Sequence, residues 1–141
     1  MSNVRKIMSL KRKKHETGCP IAHGLDVFGD RWTLLILRDM MLHGKKTYGE
    51  FQSSPEQIAT NVLADRLKHL EVEGVVEKQR DPENRRSFIY TLTESGLSLV
   101  PVIAEIIRWS GKLMPLDSRR KKLVKRIESD LEGFVKEVRS R

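Results

Sequence analysis

The boundary at Gly74 constrains this chain more than any other feature. Before it runs "IATNVLADRLKHLEVEG", residues 58–74. Ala59, Leu63, Leu67 and Leu70 recur there at helical spacing, so one side is apolar. After it the period changes at once, and "VVEKQR" and "SFIYTL" are rich in β-forming residues. The polar "DPENRR" joins these two runs as a hairpin with a loose tip rather than a two-residue turn. An amphipathic helix fed directly into a small hairpin leaves few architectures open.

The upstream residues narrow them further. In "CPIAHGLDVFGDRWTLLILRDMMLHGKK", Ile21, Leu25 and Phe28 suit a short helix that Gly29 can end. Asp30 can cap a second helix through Met41, with Trp32, Leu35, Ile36 and Met40 inward and Gly44 at its end. "TYGEF" reads as a capping box in which Thr47 and Glu50 satisfy each other's backbone donors. Pro55 in "SSPEQ" disfavours helix at Ser54 and makes a turn before the 58–74 helix. Downstream, Thr93 can cap a helix running to about Trp109, with Pro101 as a kink or a late first turn. Leu123, Ile127, Leu131, Phe134 and Val138 then trace one amphipathic C-terminal helix.

Helix–turn–helix followed by a hairpin predicts a mainly α fold with a small β-hairpin (α+β), the winged helix-turn-helix arrangement. The expected organisation is a basic arm over 1–18, a winged helix-turn-helix domain over 19–113, and a C-terminal helix over 114–141 for dimerisation or packing. The arm carries Arg5, Lys6, Lys11, Arg12, Lys13 and Lys14, read either as phosphate contacts or as a solvated tail.

Charge points to the partner. Net charge is +8 over 141 residues, which favours a polyanion. The polar flank of the 58–74 helix holds Thr60, Asn61, Ala64, Asp65 and Lys68. These are short side chains with hydrogen-bonding tips, on an element about 10–12 Å across that fits a major groove about 12 Å wide. Asn61 can pair bidentately with adenine, and Asp65 can accept from cytosine or orient Arg66 or Lys68. Lys45, Lys46, Arg66, Lys78, Arg80, Arg85 and Arg86 are candidates for the phosphate backbone, with Arg85 and Arg86 at the hairpin tip. Taken alone, the helix also reads as an ordinary solvated face.

Other classes fit poorly. There is no phosphate-cradling glycine loop and no His-Glu-x-x-His, so no enzyme, cofactor or metal site is expected. With one cysteine, Cys19, no internal disulfide can form. The longest apolar run, "WTLLIL", is too short to span a bilayer, and a cytoplasmic location without membrane association is the default. The basic run "RRKKLVKR" keeps a rival open: a non-sequence-specific, architectural nucleic-acid-binding protein.

The ordered set of motifs resembles the HxlR-type transcriptional regulators, winged-helix relatives of the MarR group. The resemblance runs from "CPIAHGLDVFGDRWTLLILRD" through "YGEFQSSPEQIATNVLADRLKHLEVEGVVEK" to "YTLTESG" and Trp109. It implies double-stranded DNA as partner, and a homodimer on a pseudo-palindromic operator, built through the first and last helices. Repression by steric blocking is the simplest mode. Two departures stand out. Ala59 replaces the serine usual before the recognition helix, with Thr60 available as a cap one residue later. "DPENRR" also differs from the proline-rich wing usual in the family. Some members sense oxidants or electrophiles through a cysteine at the position of Cys19. Pro20 would place that thiol at a helix start, where the dipole favours thiolate. The competing reading is an inert thiol packed against Trp32 or a partner copy. A small-molecule or oxidant effector is therefore compatible with the sequence.

Overall fold

A computed structural model describes residues 17–141. The arm cations from Arg5 to Lys14 lie outside the described residues. The elements run α1 (Pro20–Phe28), α2 (Arg31–His43), α3 (Tyr48–Gln52), α4 (Thr60–Val72), β1 (Val76–Arg80), β2 (Phe88–Leu92), α5 (Glu94–Leu97), α6 (Val100–Gly111), α7 (Ser118–Ser129) and α8 (Leu131–Arg139). The winged helix-turn-helix order is present.

Local chemistry sets the element ends. The Asp30 side chain accepts from the Thr33 amide at 2.9 Å and starts α2. Gly44 ends α2 in the left-handed region at φ 62°. Thr47 and Glu50 form both halves of the capping box on α3. The α4 start differs from expectation. Ala59 occupies the cap position, exposed and without a side-chain hydrogen bond, and Thr60 is already helical. Thr60 therefore does not replace the missing cap. Instead the Tyr48 hydroxyl donates to the Thr60 carbonyl at 2.6 Å, which fixes the first turn of α4 from α3.

β1 and β2 pair antiparallel, with Val76 opposite Leu92 and Arg80 opposite Phe88. A further antiparallel bridge joins Thr47 to Ile89, and the Tyr90 amide donates to the Lys46 carbonyl at 2.8 Å. The segment before α3 thus acts as a minimal third strand. It ties the hairpin to the helix-turn-helix, and Phe51 packs edge-on against Tyr90.

Two expected single helices are each divided. The helix capped by Thr93 ends at Leu97, and α6 starts at Val100 with Pro101 in its first turn, where a missing N–H costs nothing. The C-terminal helix breaks at Asp130, whose side chain accepts from the Gly133 amide at 2.9 Å and caps α8. The break lets α8 fold back beside α7. Ile127, Phe134 and Val138 then join the core built by Leu37, Met41 and Leu63. Of the two roles the sequence left open for this stripe, dimerisation or packing, Ile127, Phe134 and Val138 take packing within their own chain, while Leu123 and Leu131 stay half-buried.

Gly96 packs so closely that an added Cβ would lie 2.2 Å from the Val75 carbonyl oxygen. That backbone cannot retreat without disturbing β1. Gly96→Ala should lower stability by about 2–3 kcal/mol and Phe134→Ala by about 3–4 kcal/mol, both measured by urea unfolding. A cost below about 1 kcal/mol for Phe134→Ala would contradict the burial of α8.

Candidate nucleic-acid interface

The core anchors one side of α4 through Leu63, Leu67 and Leu70, all fully buried. This leaves Thr60, Asn61, Ala64, Asp65 and Lys68 exposed on the other side. No described segment covers that flank. Three polar contacts hold its orientation: the Tyr48 bond to Thr60, Arg66 Nε donating to Asp30 Oδ2 at 2.7 Å, and His69 Nε2 with the Val27 carbonyl oxygen at 2.9 Å. Asp30 therefore both caps α2 and anchors α4. Burial pushes its carboxyl up, but Arg66 and the two Thr33 bonds outweigh this and hold it below the ordinary carboxylate range.

The candidate phosphate contacts divide into two groups. Lys45 turns inward, where Nζ donates to Ser54 Oγ at 2.8 Å and lies 3.7 Å from Asp39 Oδ2. Arg66 is held by Asp30 and contacts Asp65. Both cations are occupied within the molecule, contrary to their assignment as free backbone contacts. Asp65 orients Arg66, as one of its sequence readings allowed. Lys68 makes only a loose pair with Glu71 at 3.6 Å.

Lys46, Lys78, Arg80, Arg85 and Arg86 are exposed, and none forms an ion pair among the described residues. Lys78 Nζ sits 4.2 Å and the Arg80 guanidinium carbon 4.8 Å from the Phe88 ring centre. This stacking steadies both cations without neutralising them. Backbone bonds order the tip: the Asp81 amide donates to the Ser87 carbonyl and the Ser87 amide to the Asn84 carbonyl, each at 2.9 Å. Arg80 also donates to the Arg85 carbonyl. The tip thus presents Arg85 and Arg86 from a braced loop.

Sequence reading missed the cluster behind this surface. Arg38 forks onto Glu56 at 2.6 and 2.8 Å and onto Asp39 at 2.8 and 3.1 Å. Asp39 is buried and also accepts from Ser54. Arg38's hydrogen bonds hold the Glu56 carboxyl down at about 2, with smaller help from the Arg31 charge. The available signal was an Arg-Asp pair inside the otherwise apolar "LLILRDMML".

With a polar helix flank and a cationic wing established, comparison with known proteins identifies the family. A model of HxlR-like helix-turn-helix proteins matches residues 27–118. The chain belongs to the HxlR-like helix-turn-helix family. It is 37% identical over 97 residues to the HTH-type transcriptional regulator YodB of Bacillus subtilis, covering 68% of this chain and 86% of YodB. It is 34% identical over 93 residues to the HTH-type transcriptional regulator YvaP of the same organism, covering 65% and 85%. Among solved structures, the redox regulator HypR in its oxidised form superposes with TM-score 0.61 at 28% identity, covering 70% of this chain and 100% of HypR. Quinone-bound YodB superposes with TM-score 0.56 at 34% identity, covering 67% and 100%. This HxlR-type protein is thus a DNA-binding transcriptional regulator with a winged helix-turn-helix, and the comparisons point to no enzymatic family. No helix among its described residues is long and apolar enough to cross a membrane.

The Arg38–Glu56 pair gives a pH-dependent expectation. A carboxylate held at about 2 in the fold, against an ordinary 4.5, stabilises fully above pH 4.5 and loses its contribution as pH falls toward 2. Glu56→Gln should cost about 1–2 kcal/mol at pH 7, after allowance for solvent screening, and almost nothing near pH 2. Urea unfolding of both proteins at the two pH values checks this; an equal cost at both would remove the ion pair as the cause.

Proposed function

We propose that this HxlR-type regulator represses transcription as a homodimer on a pseudo-palindromic operator, reading sequence with α4 and holding phosphates with the wing. The observation that carries the reading is the flank of α4, left uncovered by the described residues, beside exposed wing cations that form no ion pair among them. Asn61 supplies the bidentate group for adenine, with Thr60, Ala64, Asp65 and Lys68 around it. Lys46, Lys78, Arg80, Arg85 and Arg86 supply backbone contacts, and the arginine tip also suits a narrow minor groove.

Dimerisation is favoured by the apolar surface on α1 and along and just beyond α6. Ile21 is 75% exposed, Leu25 56%, Trp109 68% and Leu113 68%. Such side chains at helical spacing fit a second copy covering them. Two recognition helices would then meet successive major grooves about 34–36 Å apart.

Thiol regulation is a second reading, favoured by the exposed Cys19 at the cap of α1, on the same helix as Ile21 and Leu25. That exposure argues against burial beside Trp32. HypR has been solved oxidised and YodB with quinone bound, which supports an oxidant or electrophile as the effector here. If Cys19 acts this way, Cys19→Ser should retain operator binding and lose its response to diamide or quinone; an unchanged response would sink thiol control.

Selection of bound duplexes from a random pool tests the central proposal. A two-fold site bound about 10³-fold more tightly than random DNA is expected; steep salt dependence without preference would favour the architectural reading. Asn61→Ala should weaken operator binding about 5- to 100-fold and relax preference at one position per half-site. Arg85→Ala should weaken all duplexes alike and lower the salt slope by about 1 per subunit.

A further inference from the structure

A cleft of about 770 Å³ opens between α2, α6 and the α7–α8 hairpin. Its far wall includes Leu123, Val124, Phe134 and Arg141, which lie beyond the family match at 27–118. The volume falls in the range of small-molecule sites, about 300–1,000 Å³. Leu35, Ile107, Met114, Leu123 and Phe134 make much of the lining apolar.

The charges around that apolar interior are unbalanced. Arg31, Arg38, Arg119, Arg120 and Arg141 line the cleft, against only Glu56 and Asp117. Both acids are already engaged, Glu56 by Arg38 and Asp117 by Arg120 at 2.7 Å. Arg141 donates to the Met41 carbonyl at 2.9 Å and pairs with Glu137. Arg31 and Arg119 form no close ion pair among the described residues: Arg31 stacks on Trp32 at 5.3 Å, and their charges act on Glu56 and Asp117 only from beyond ion-pair distance. A greasy cavity with surplus guanidinium charge is complementary to a molecule with an apolar body and an anionic head.

We propose that this cleft binds a small amphipathic organic anion, such as a medium-chain or aromatic carboxylate, with Arg31 and Arg119, which no ion pair occupies, supplying the guanidinium groups. Arg38 gives the site a route to α4. It stands in the cleft wall while holding Glu56, and Glu56 lies in the turn that leads into α4. An anion beside Arg38 competes with Glu56 for its N–H groups. Binding in the cleft therefore loosens the 56–60 turn. The binding claim is independent of the operator reading, because it is tested without DNA.

The test uses the full chain and anilinonaphthalene sulfonate as a fluorescent probe, displaced by decanoate or by decyltrimethylammonium of equal chain length. Decanoate should displace the probe at least tenfold more effectively than the cation. Arg31→Glu/Arg119→Glu should weaken decanoate at least tenfold. Both residues are exposed in the first turns of their helices, where an acid is compatible with folding. An unchanged circular dichroism melt would confirm that the variant is folded. Ile21→Ser/Leu25→Ser, on the separate α1 surface, should leave decanoate affinity unchanged. Equal displacement by the two amphiphiles, or unchanged decanoate affinity in the arginine variant, would overturn the proposal. So would a fall in sedimentation mass as decanoate binds, because the cleft would then be the seat of a second copy. Amide exchange at 56–60 should quicken several-fold with decanoate bound, and unchanged exchange would refute the link to α4.

Discussion

Asp39 is the constraint around which the helix-turn-helix is arranged. Its side chain is 4% exposed, in a helical run that is apolar from Leu34 to Leu42 apart from Arg38 beside it. A carboxylate in that position is costly unless donors surround it. Arg38, Lys45 and Ser54 provide them, from α2 itself, from the loop after it and from the turn before α4. Satisfying one buried charge therefore fixes where three chain segments meet. Glu56 then completes the fork on Arg38, so the turn is held at both ends. Asn61 and its neighbours are displayed by a helix whose entry is tied by Glu56 to Arg38 and by the Thr60 carbonyl to Tyr48.

The same network explains which cations face outward. Lys45 and Lys46 are adjacent in sequence but do opposite things: one neutralises the interior, and the other remains on the surface beside the wing. Arg66 is likewise drawn back to Asp30, leaving α4's outer flank nearly free of positive charge except Lys68. The positive surface is displaced to the wing. In a DNA-binding reading, this separates base contact from phosphate contact between two elements, so each can be altered without the other.

Local signals in the sequence were reliable where one residue acts on its own neighbourhood. The Asp30 cap, the Thr47–Glu50 box, the stop at Gly44 and the change of period at Gly74 all show in the chain itself. Long-range pairings did not. Nothing near Lys45 announces that Ser54 and Asp39 will take its ammonium, and nothing near Arg66 announces Asp30, 36 residues away. The C-terminal stripe shows the limit most clearly. Spacing revealed that Leu123 to Val138 form an apolar face, but not that Asp130 would break the helix and return that face to its own core. The exposed flank of α4 was legible because a helix with one anchored side must leave the other outside.

The three-segment sheet has a further consequence for how copies of this protein can meet. The bridge from Thr47 covers one margin of β2, and β1 occupies the other. The remaining open margin belongs to β1, whose exposed residues Glu77, Lys78, Gln79 and Arg80 are charged or polar. Lysine and like charges along such a margin discourage a foreign strand from adding to it. Self-association is thereby steered away from ribbon-to-ribbon growth and toward helical surfaces, keeping the hairpin's end clear for other molecules.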